Sequence, residues 1–388
     1  MGLRPFWRGA ADSPAVQVVA VTVAAVVFVV ARLEVVAHGD ITRFIDVGST
    51  FANRRAVPRG VTIVPGSGYD GEFYYRLALD PLDLHRRADG ITMDNAYRVQ
   101  RITYSALAWL LGAGQASAIP YTLVAVNVAA LGALAWFGGL LARDCGRLAA
   151  WGLLLPGYFG FLFSIGRDLT EVCEACFVVA GLLCLRRGRP VLAGASFTAA
   201  VLSRETALVV VAGVAVVALA DLARARRRPG GADVAWVLPI AACVVWQLVG
   251  WVQYGSIPFR SDSENNLAPP FASMIGALGH YASELPSEHA LIWLAQLGVL
   301  AFVVVSAATV LRSSRATTAE KWGFVLALAL VLCISRNLWY SHADFRGFED
   351  LYVLATVVLL GSERRLRVVG ALVAVMWVAT FAHRVVYF

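Results

Sequence analysis

An aspartate followed by a short amphipathic stretch is the sharpest chemical pattern in this sequence. Residues 66–81 read GSGYDGEFYYRLALDP, in which three glycines that allow tight turns surround Asp70. The stretch from Glu72 onwards has helical spacing, and Tyr74 and Tyr75 are residue types that favour a membrane interface. Asp70 therefore stands at the start of a predicted helix, where its carboxylate either caps the helix N-terminus or acts as a general base.

Two junctions between apolar runs carry further charged residues. The first, SIGRDLTE at residues 164–171, contains Arg167 and Asp168, and the second, LSRETAL, contains Arg204 and Glu205. One reading is local: Asp168 caps the following helix, Arg167 extends toward water, and Arg204 pairs with Glu205. The other reading is that the arginines converge on an anionic group such as a phosphate, whose oxygens match the guanidinium fork.

A third charged segment, SRNLWYSHADFRGFED, follows a long apolar run. It contains Arg336, His342 and Arg346 among four aromatic residues. A belt of rings at the membrane interface accounts for the aromatic residues. It does not account for two arginines and a histidine, because charged groups near membrane depth usually face a cavity or a partner. We therefore expect this segment to take part in ligand binding.

The composition that surrounds these segments is that of a chain dissolved in lipid. Of the 388 residues, 59% are hydrophobic and 15% are charged, whereas soluble domains are about 45–50% apolar and about 25% charged. The 33 basic and 26 acidic residues give a net charge of +7. The basic residues cluster in short loops between apolar runs, which follows the positive-inside rule and argues against nucleic acid as a partner.

Apolar runs predict an all-α polytopic membrane protein with about eleven crossings. The runs are 15–37, 118–141, 148–165, 171–185, 190–202, 206–222, 233–254, 289–311, 321–339, 349–361 and 367–386. With the N-terminus in the cytoplasm, every short basic loop falls on the cytoplasmic side. The apolar piece 102–114 is short for a crossing, so we expect it to form a helix that lies at the outer surface.

This layout predicts a single integral membrane domain over residues 1–388. The first helix, 15–37, follows two arginines and is too long for a signal peptide, so it is expected to stay as a signal anchor. Residues 38–117 form a long outer loop with interfacial helices. We expect this loop to fold onto the helix bundle of residues 118–386.

The arrangement resembles the GT-C superfamily of integral membrane glycosyltransferases. YDGEFYYRLAL, residues 69–79, is similar to the WD..Y...IA stretch that carries the catalytic aspartate of mannosyltransferases in that superfamily, with Tyr69 in place of the tryptophan. AYRVQRITYSALAWLLGAG, residues 96–114, resembles the interfacial helix that follows it, and GRDLTEVCEACFVVAGLL resembles an outward helix junction further along. Within the superfamily, the chain looks like bacterial polyprenyl-phosphate-dependent mannosyltransferase-like proteins of cell-surface glycopolymer synthesis.

The resemblance implies transfer of mannose, or another hexose or pentose, from a polyprenyl-phosphate donor to a glycan or lipid acceptor of the cell envelope. The reaction would take place on the extracytoplasmic face of a bacterial plasma membrane. Asp70 would be the general base, and Asp40 is the second candidate because other branches place the acidic residue there. The expected donor-binding residues are Arg167, Arg204, Arg336, His342 and Arg346, and the expected supporting residues are Glu72, Tyr74, Tyr75, Asp168 and Glu205.

This chemistry does not require a metal ion, because arginines can compensate the charge that develops on the departing phosphate. Asp40 and Asp70 together could nevertheless bind a divalent cation. No soluble cofactor is indicated by the sequence.

Two other classes of function stay open at the level of sequence. A transporter or flippase for a lipid-linked or small anionic substrate usually has polar groups near the bilayer midplane and repeated halves. In this chain the polar groups are predicted to gather at one face, and no repeat is visible. A non-catalytic membrane scaffold would use the same loop only to bind a partner.

Overall fold

The structure is a computed structural model that describes residues 9–225, 230–261, 266–340 and 343–387. Its α-helices are α1 (Pro14–Val35), α2 (Gly71–Leu79), α3 (Ile102–Leu111), α4 (Ile119–Asp144), α5 (Gly160–Ile165), α6 (Glu171–Arg186), α7 (Pro190–Ser203), α8 (Leu208–Ala225), α9 (Val234–Tyr254), α10 (Ala272–Ser283), α11 (Glu288–Val310), α12 (Thr318–Leu332), α13 (Arg336–Trp339), α14 (Glu349–Leu360) and α15 (Arg367–Val386). Short 3₁₀ helices lie at Ile41–Phe44, Ala96–Gln100, Ala149–Leu154, Glu205–Ala207, Gly231–Asp233, Pro258–Arg260 and Arg346–Phe348. The predicted all-α class is confirmed.

Six helical stretches of the described residues are long and apolar enough to cross a membrane, judged by length and composition. They are Pro14–Val35, Ile119–Asp144, Glu205–Arg224, Gly231–Tyr254, Glu288–Val310 and Arg367–Val386. Each has at least 20 residues, which is about the length that spans a hydrocarbon core of about 30 Å. The chain is therefore a multi-pass membrane protein, as its composition predicts.

The other predicted crossings coincide with helices that are short or interrupted. The run 148–165 contains a 3₁₀ helix and α5 rather than one continuous helix, and Pro156 and Gly157 lie between them. Proline has no backbone N–H to donate and clashes with the preceding turn, which ends a helix. The 3₁₀ helix also packs closely on α4, because a Cβ atom on Gly152 would lie 2.2 Å from the Gly138 carbonyl carbon.

The first long loop folds onto the helices, as expected from its sequence. Two pairs of two-residue strands shape it: β1 (Val47–Gly48) runs parallel to β2 (Ile63–Val64), and β3 (Arg87–Ala88) runs antiparallel to β4 (Ile91–Thr92). These strands are not foreseen by the sequence analysis. Loop residues such as Val47, Phe73 and Tyr104 are buried in one apolar cluster with Leu123 of α4 and Cys173 of α6.

Helix α3 occupies the apolar piece whose placement decides the topology. It has 10 residues, so it is about 15 Å long and too short to cross a hydrocarbon core. It packs against α2, α4 and α7. Its length agrees with the prediction that residues 102–114 do not span the membrane.

Ion pairs identify two opposite ends of the helix bundle. At the first end, Glu171 at the start of α6 contacts Arg204 after α7. We call it the Asp70 end, because Arg346 joins Glu171 to Asp70 there. At the second, which we call the Arg147 end, Arg186 at the other end of α6 contacts Glu320 at the start of α12, with Nε to Oε1 at 2.6 Å. Because α6 has these contacts at its two termini, the two groups lie a whole helix apart.

Backbone carbonyl groups hold the Arg147 end together. Arg147 Nε donates to the Leu360 carbonyl at 2.8 Å, and Nη2 donates to the carbonyls of Arg364, at 2.9 Å, and Ser362. These bonds attach the turn after α4 to the C-terminus of α14 and satisfy carbonyls that a helix end leaves without partners.

Candidate active site

Asp70 precedes α2 directly, and two arginines hold its carboxylate. Its Oδ1 accepts a hydrogen bond from Arg98 Nη1 at 2.7 Å, and its Oδ2 accepts one from Arg346 Nη2 at 2.9 Å. Asp70 occupies the N-cap position, but its side chain makes no capping hydrogen bond. The capping alternative is therefore wrong, and the carboxylate faces cationic groups instead.

Gly71, the first residue of α2, allows three segments of the chain to meet beside Asp70. A Cβ atom at this position would lie 2.5 Å from the carbonyl oxygen of Arg167 and 2.6 Å from that of Ile45. Contacts that short do not occur for real Cβ atoms, so any side chain would force the backbones apart. The missing side chain lets α2 begin directly against the junction before α6.

Arg98 is fixed in place by groups other than Asp70. Its Nη2 lies 3.0 Å from an Asp94 carboxylate oxygen, one turn earlier in the chain. Its guanidinium also lies over the ring of Phe73, 4.7 Å from the ring centroid, which is a favourable cation–π geometry. Burial acts to lower the pKa of Arg98, but Asp70 and Asp94 outweigh it and hold that pKa above its usual value. Arg98 is thus a permanent positive charge beside Asp70.

Asp70 and Glu72 lie close together in the chain but have opposite electrostatic environments. Burial opposes ionisation of Asp70, yet the positive charges of Arg98 and Arg346 outweigh it and hold the pKa of Asp70 well below its usual range. Burial raises the pKa of Glu72 to about 8, although the Gly48 amide donates a hydrogen bond to it at 2.9 Å. Near neutral pH, Asp70 is ionised and Glu72 is mainly protonated. Glu72 therefore serves to attach α2 to β1.

Arg346 and Arg204 share one carboxylate of α6. Nη1 of each arginine donates to Oε1 of Glu171, at 3.1 Å for Arg204. Arg204 also donates to Oε1 of Glu349, the first residue of α14. Two of the predicted phosphate-binding arginines thus stand in a continuous row of ion pairs that runs Asp70, Arg346, Glu171, Arg204 and Glu349.

Glu205 pairs with Arg101, and the expected local pair with Arg204 does not form. Nη2 and Nε of Arg101 lie 2.7 and 3.0 Å from the two Glu205 carboxylate oxygens, a bidentate geometry. Tyr97 donates its hydroxyl to the same carboxylate, and Arg101 donates to the Tyr74 hydroxyl at 3.0 Å. Tyr74 and Glu205 therefore position the segment before α3 against α7 and α8.

Asp40, the second candidate for the base, caps a 3₁₀ helix. Its Oδ1 accepts from the Thr42 amide at 2.9 Å and from the Thr42 hydroxyl at 2.7 Å, and Oδ2 accepts from Thr62. Asp40 and Tyr75 line a cavity of about 420 Å³ beside Pro120 at the start of α4. The structure thus gives Asp40 and Asp70 different partners, and both Tyr74 and Tyr75 are buried within the protein.

Arg167 does not extend toward water as the local reading expects. Its side chain is 12% exposed, and Nη1 donates to Asp46. Its guanidinium lies 5.5 Å from the ring centroid of Tyr69, and that of Arg346 lies 5.2 Å from the same centroid. Tyr69 therefore stands between two arginines, next to Asp70 in the chain.

Asp168 is buried before α6 and does not cap that helix. The N-cap residue is Thr170, which makes no side-chain capping bond, and the backbone of Asp168 is left-handed with φ of 50°. Burial raises the pKa of Asp168 well above its usual range. Asp168 is therefore a fully buried acid, and its expected capping role is wrong.

Arg336 lies apart from the row of ion pairs. It is exposed at the start of α13, and its guanidinium lies over the ring of Tyr340 at 4.4 Å from the centroid. His342, the remaining predicted donor-binding residue, lies outside the described residues. Of the predicted phosphate ligands, the structure therefore brings Arg204 and Arg346 together and places Arg167 beside them through Tyr69.

Several residues that complete the site are not predicted from the sequence. These are Asp94, Arg98, Arg101, Glu174, Glu349 and Asp350. The spacing of four between Asp94 and Arg98 and the acidic residues within apolar runs were visible signals. Among the described residues, the carboxylates near enough to share a metal ion are Glu174, Glu349 and Asp350. That group includes neither Asp40 nor Asp70.

Comparison of the chain with protein-family models, curated proteins and solved structures finds no match.

Proposed function

We propose that this protein is a glycosyltransferase of the GT-C type that transfers a sugar from a polyprenyl-phosphate donor to a glycan or lipid acceptor of the cell envelope. The observation that carries the proposal is the ionised carboxylate of Asp70, held 2.9 Å from Arg346 and at the head of a row that contains Arg204. A base and two cations that can bind a phosphate thereby lie at one end of the bundle.

Asp70 is the proposed general base. The acceptor hydroxyl transfers its proton to the Asp70 carboxylate as its oxygen attacks the anomeric carbon of the donor. The bond between that carbon and the phosphate oxygen breaks, and its electron pair leaves with the lipid phosphate. The sugar is transferred with inversion, because attack and departure occur on opposite faces of the anomeric carbon.

Arg346 couples binding of the donor to activation of the base. Arg346 bonds to Asp70 and Glu171 in the structure. A donor phosphate presents the same kind of bidentate oxygen acceptor and competes for this guanidinium. When the phosphate takes Arg346, Asp70 loses a positive neighbour, and its pKa rises toward the range of a useful base. Arg346 and Arg204 then stabilise the charge on the departing phosphate.

A cleft between α11 and α15 offers a route for the lipid chain. It has a volume of about 490 Å³ and is lined mainly by apolar residues, together with polar ones that include Gln296 and Thr380. Gln296 Nε2 donates to Asp344 Oδ1 at 2.7 Å, and Asp344 precedes Arg346 by two residues. A prenyl chain in this cleft would place its phosphate near the segment that carries Arg346.

We propose eleven crossings with the N-terminus in the cytoplasm and the Asp70 end outside a bacterial plasma membrane. Besides the six long helices, the five short or interrupted crossings are 148–165, 171–186, 190–203, 318–332 and 349–360. Burial of α6 and α14 by neighbouring helices supports short crossings there, because a helix surrounded by protein need not match the bilayer thickness.

The orientation is tested by labelling with a membrane-impermeant thiol reagent. A cysteine at Leu82, which is 86% exposed in the first loop, should react in intact cells. A cysteine at Glu363, whose side chain is 88% exposed at the Arg147 end, should react only after the membrane is permeabilised. The unsubstituted protein measures the background from native cysteines, and the reverse pattern would refute the proposed orientation.

The activity is tested with the purified full-length protein in lipid nanodiscs. Polyprenyl-phosphate hexoses and pentoses with radiolabelled sugars are supplied with a membrane-glycan extract, and transfer is measured by release of the lipid phosphate and labelling of the acceptor. Transfer from at least one donor is expected. If no donor supports transfer and the lipid-linked sugar instead crosses the bilayer of proteoliposomes, the proposed transferase activity would be refuted in favour of a flippase.

A further inference from the structure

A group of three buried carboxylates lies beyond Arg204, one helical turn deeper along α6 than Glu171. Glu174 belongs to α6, and Glu349 and Asp350 form the first turn of α14. One carboxylate oxygen from each lies within 4.8 Å of the other two. The side chains are buried, with residue exposures of 0% for both glutamates and 6% for the aspartate.

Each of the three carboxylates has an oxygen that no hydrogen bond satisfies. These atoms are Glu174 Oε2, Glu349 Oε2 and Asp350 Oδ2. Arg204 reaches Oε1 of Glu349, and Thr206 donates to Oε1 of Glu174 at 2.9 Å. Buried polar atoms are nearly always satisfied, so three unsatisfied acceptors in one place indicate that a donor or a cation belongs there.

The charges of the surrounding network leave these carboxylates uncompensated. The row of ion pairs is extended by Arg98 and Asp94 at the Asp70 side and by Glu174 and Asp350 beside Glu349. The extended network contains six carboxylates and three guanidinium groups, namely those of Asp94, Asp70, Glu171, Glu349, Glu174 and Asp350 and of Arg98, Arg346 and Arg204. Carboxylates thus exceed arginines by three, and the neighbouring pair of Arg101 and Glu205 adds one of each. Three ionised carboxylates in excess would be too costly in a buried position, so this group needs either a cation or bound protons to neutralise it.

We infer that Glu174, Glu349 and Asp350 bind one hard divalent cation of the Ca²⁺, Mn²⁺ or Mg²⁺ class. Such cations take oxygen ligands at about 2.0–2.6 Å, so ligands on opposite sides of the ion lie about 4–5 Å apart. The separation of up to 4.8 Å between the carboxylate oxygens fits this geometry. All available donors are oxygens, which excludes a preference for softer metals.

The proposed cation would stabilise the contact between two helices, independently of the reaction that the protein catalyses. The cation joins the first turn of α14 to α6 beside Thr206 and neutralises the charge next to Arg204. The cation site does not include Asp70, and the inference does not rest on the proposed glycosyltransferase activity.

The test uses Mn²⁺ and the full-length protein in detergent, after chelation and dialysis. Mn²⁺ binding is measured by electron paramagnetic resonance, and the midpoint of thermal unfolding is followed over the same titration. The wild type should bind one Mn²⁺ per chain with saturation, release it to excess Ca²⁺ or Mg²⁺, and unfold at a higher temperature when loaded. Absence of saturable binding up to about 1 mM Mn²⁺ would overturn the inference and leave protons as the counter-charges.

The variants Glu174→Gln and Asp350→Asn remove one ligand each and keep the shape of the side chain. Each should weaken Mn²⁺ binding at least tenfold and lose the metal-dependent rise in unfolding temperature. Without metal both should unfold at or above the temperature of the metal-free wild type, because each removes an excess charge. Glu284→Gln, at the exposed C-cap residue of α10, is the matched control and should bind Mn²⁺ as the wild type does. Unchanged Mn²⁺ binding in both ligand variants would also overturn the assignment.

Discussion

Replacing Asp70 by asparagine should lower the rate of sugar transfer by about 10²–10⁴-fold, the usual contribution of a general base. Asparagine keeps the shape of the side chain and can still accept a hydrogen bond, but it cannot take the proton of the acceptor hydroxyl. The fold should survive, because Arg98 retains Asp94 and Arg346 retains Glu171 as partners. The measurement is the initial rate of transfer at saturating donor, with the thermal unfolding midpoint as the test of folding.

Asp40→Asn is the matched control for this substitution. Asparagine is as good a cap as aspartate, so the 3₁₀ helix at Ile41–Phe44 should persist. We expect Asp40→Asn to retain transfer within a few fold of the wild type. Full activity in Asp70→Asn with loss in Asp40→Asn would assign the base to Asp40, in the cavity beside Tyr75.

Arg204→Gln should lower the free energy of unfolding by about 3–5 kcal/mol, the cost of removing one partner from a buried ion pair. Arg204 is the shared partner of Glu171 and Glu349, and its side chain is 5% exposed. Without it, the buried carboxylate of Glu349 loses its cation and that of Glu171 keeps only Arg346, next to a group of further buried carboxylates. Unfolding in a detergent titration, followed by tryptophan fluorescence, measures the change.

A second substitution separates the charge effect from the loss of packing. Glu349→Gln added to Arg204→Gln should restore part of the lost stability, because it removes one of the uncompensated charges. Arg260→Gln, at an exposed position, should change stability by less than about 0.5 kcal/mol. A loss below about 1 kcal/mol in Arg204→Gln would show that the row of ion pairs is not a buried network.

The sequence predicts the positions of the helices well, because a long apolar run indicates a segment that is buried in lipid or protein and forms a helix there. The run 171–185 is realised as Glu171–Arg186, and 367–386 as Arg367–Val386. Pro156 and Gly157 are residue types that break helices, although the apolar run 148–165 around them predicts one crossing. The short strands of the first loop were not predictable, since two residues give no periodicity.

The site was predictable in its residue types and only partly in its pairings. Asp70, Arg204 and Arg346 were selected because charged residues near membrane depth need partners. Which partners they take depends on packing between segments far apart in the chain: Arg346 and Asp70 are 276 residues apart. Local readings of Asp168 and of Arg204 with Glu205 failed for the same reason. In each case a tertiary partner or burial outweighed the neighbour in sequence.

The hydrogen bonds of Arg147 differ in kind from those at the opposite end of the bundle. A carbonyl oxygen does not titrate, and because it is part of the backbone at the end of α14 it cannot move aside for a phosphate. The carboxylates that hold Arg204 and Arg346 belong to side chains, and a phosphate can take their place as the acceptor. If an anionic ligand binds at the Asp70 end as proposed, we expect the Arg147 end to stay fixed while the helices rearrange at the Asp70 end. Helix α14 would then pivot about its C-terminus, with the largest displacement at Glu349.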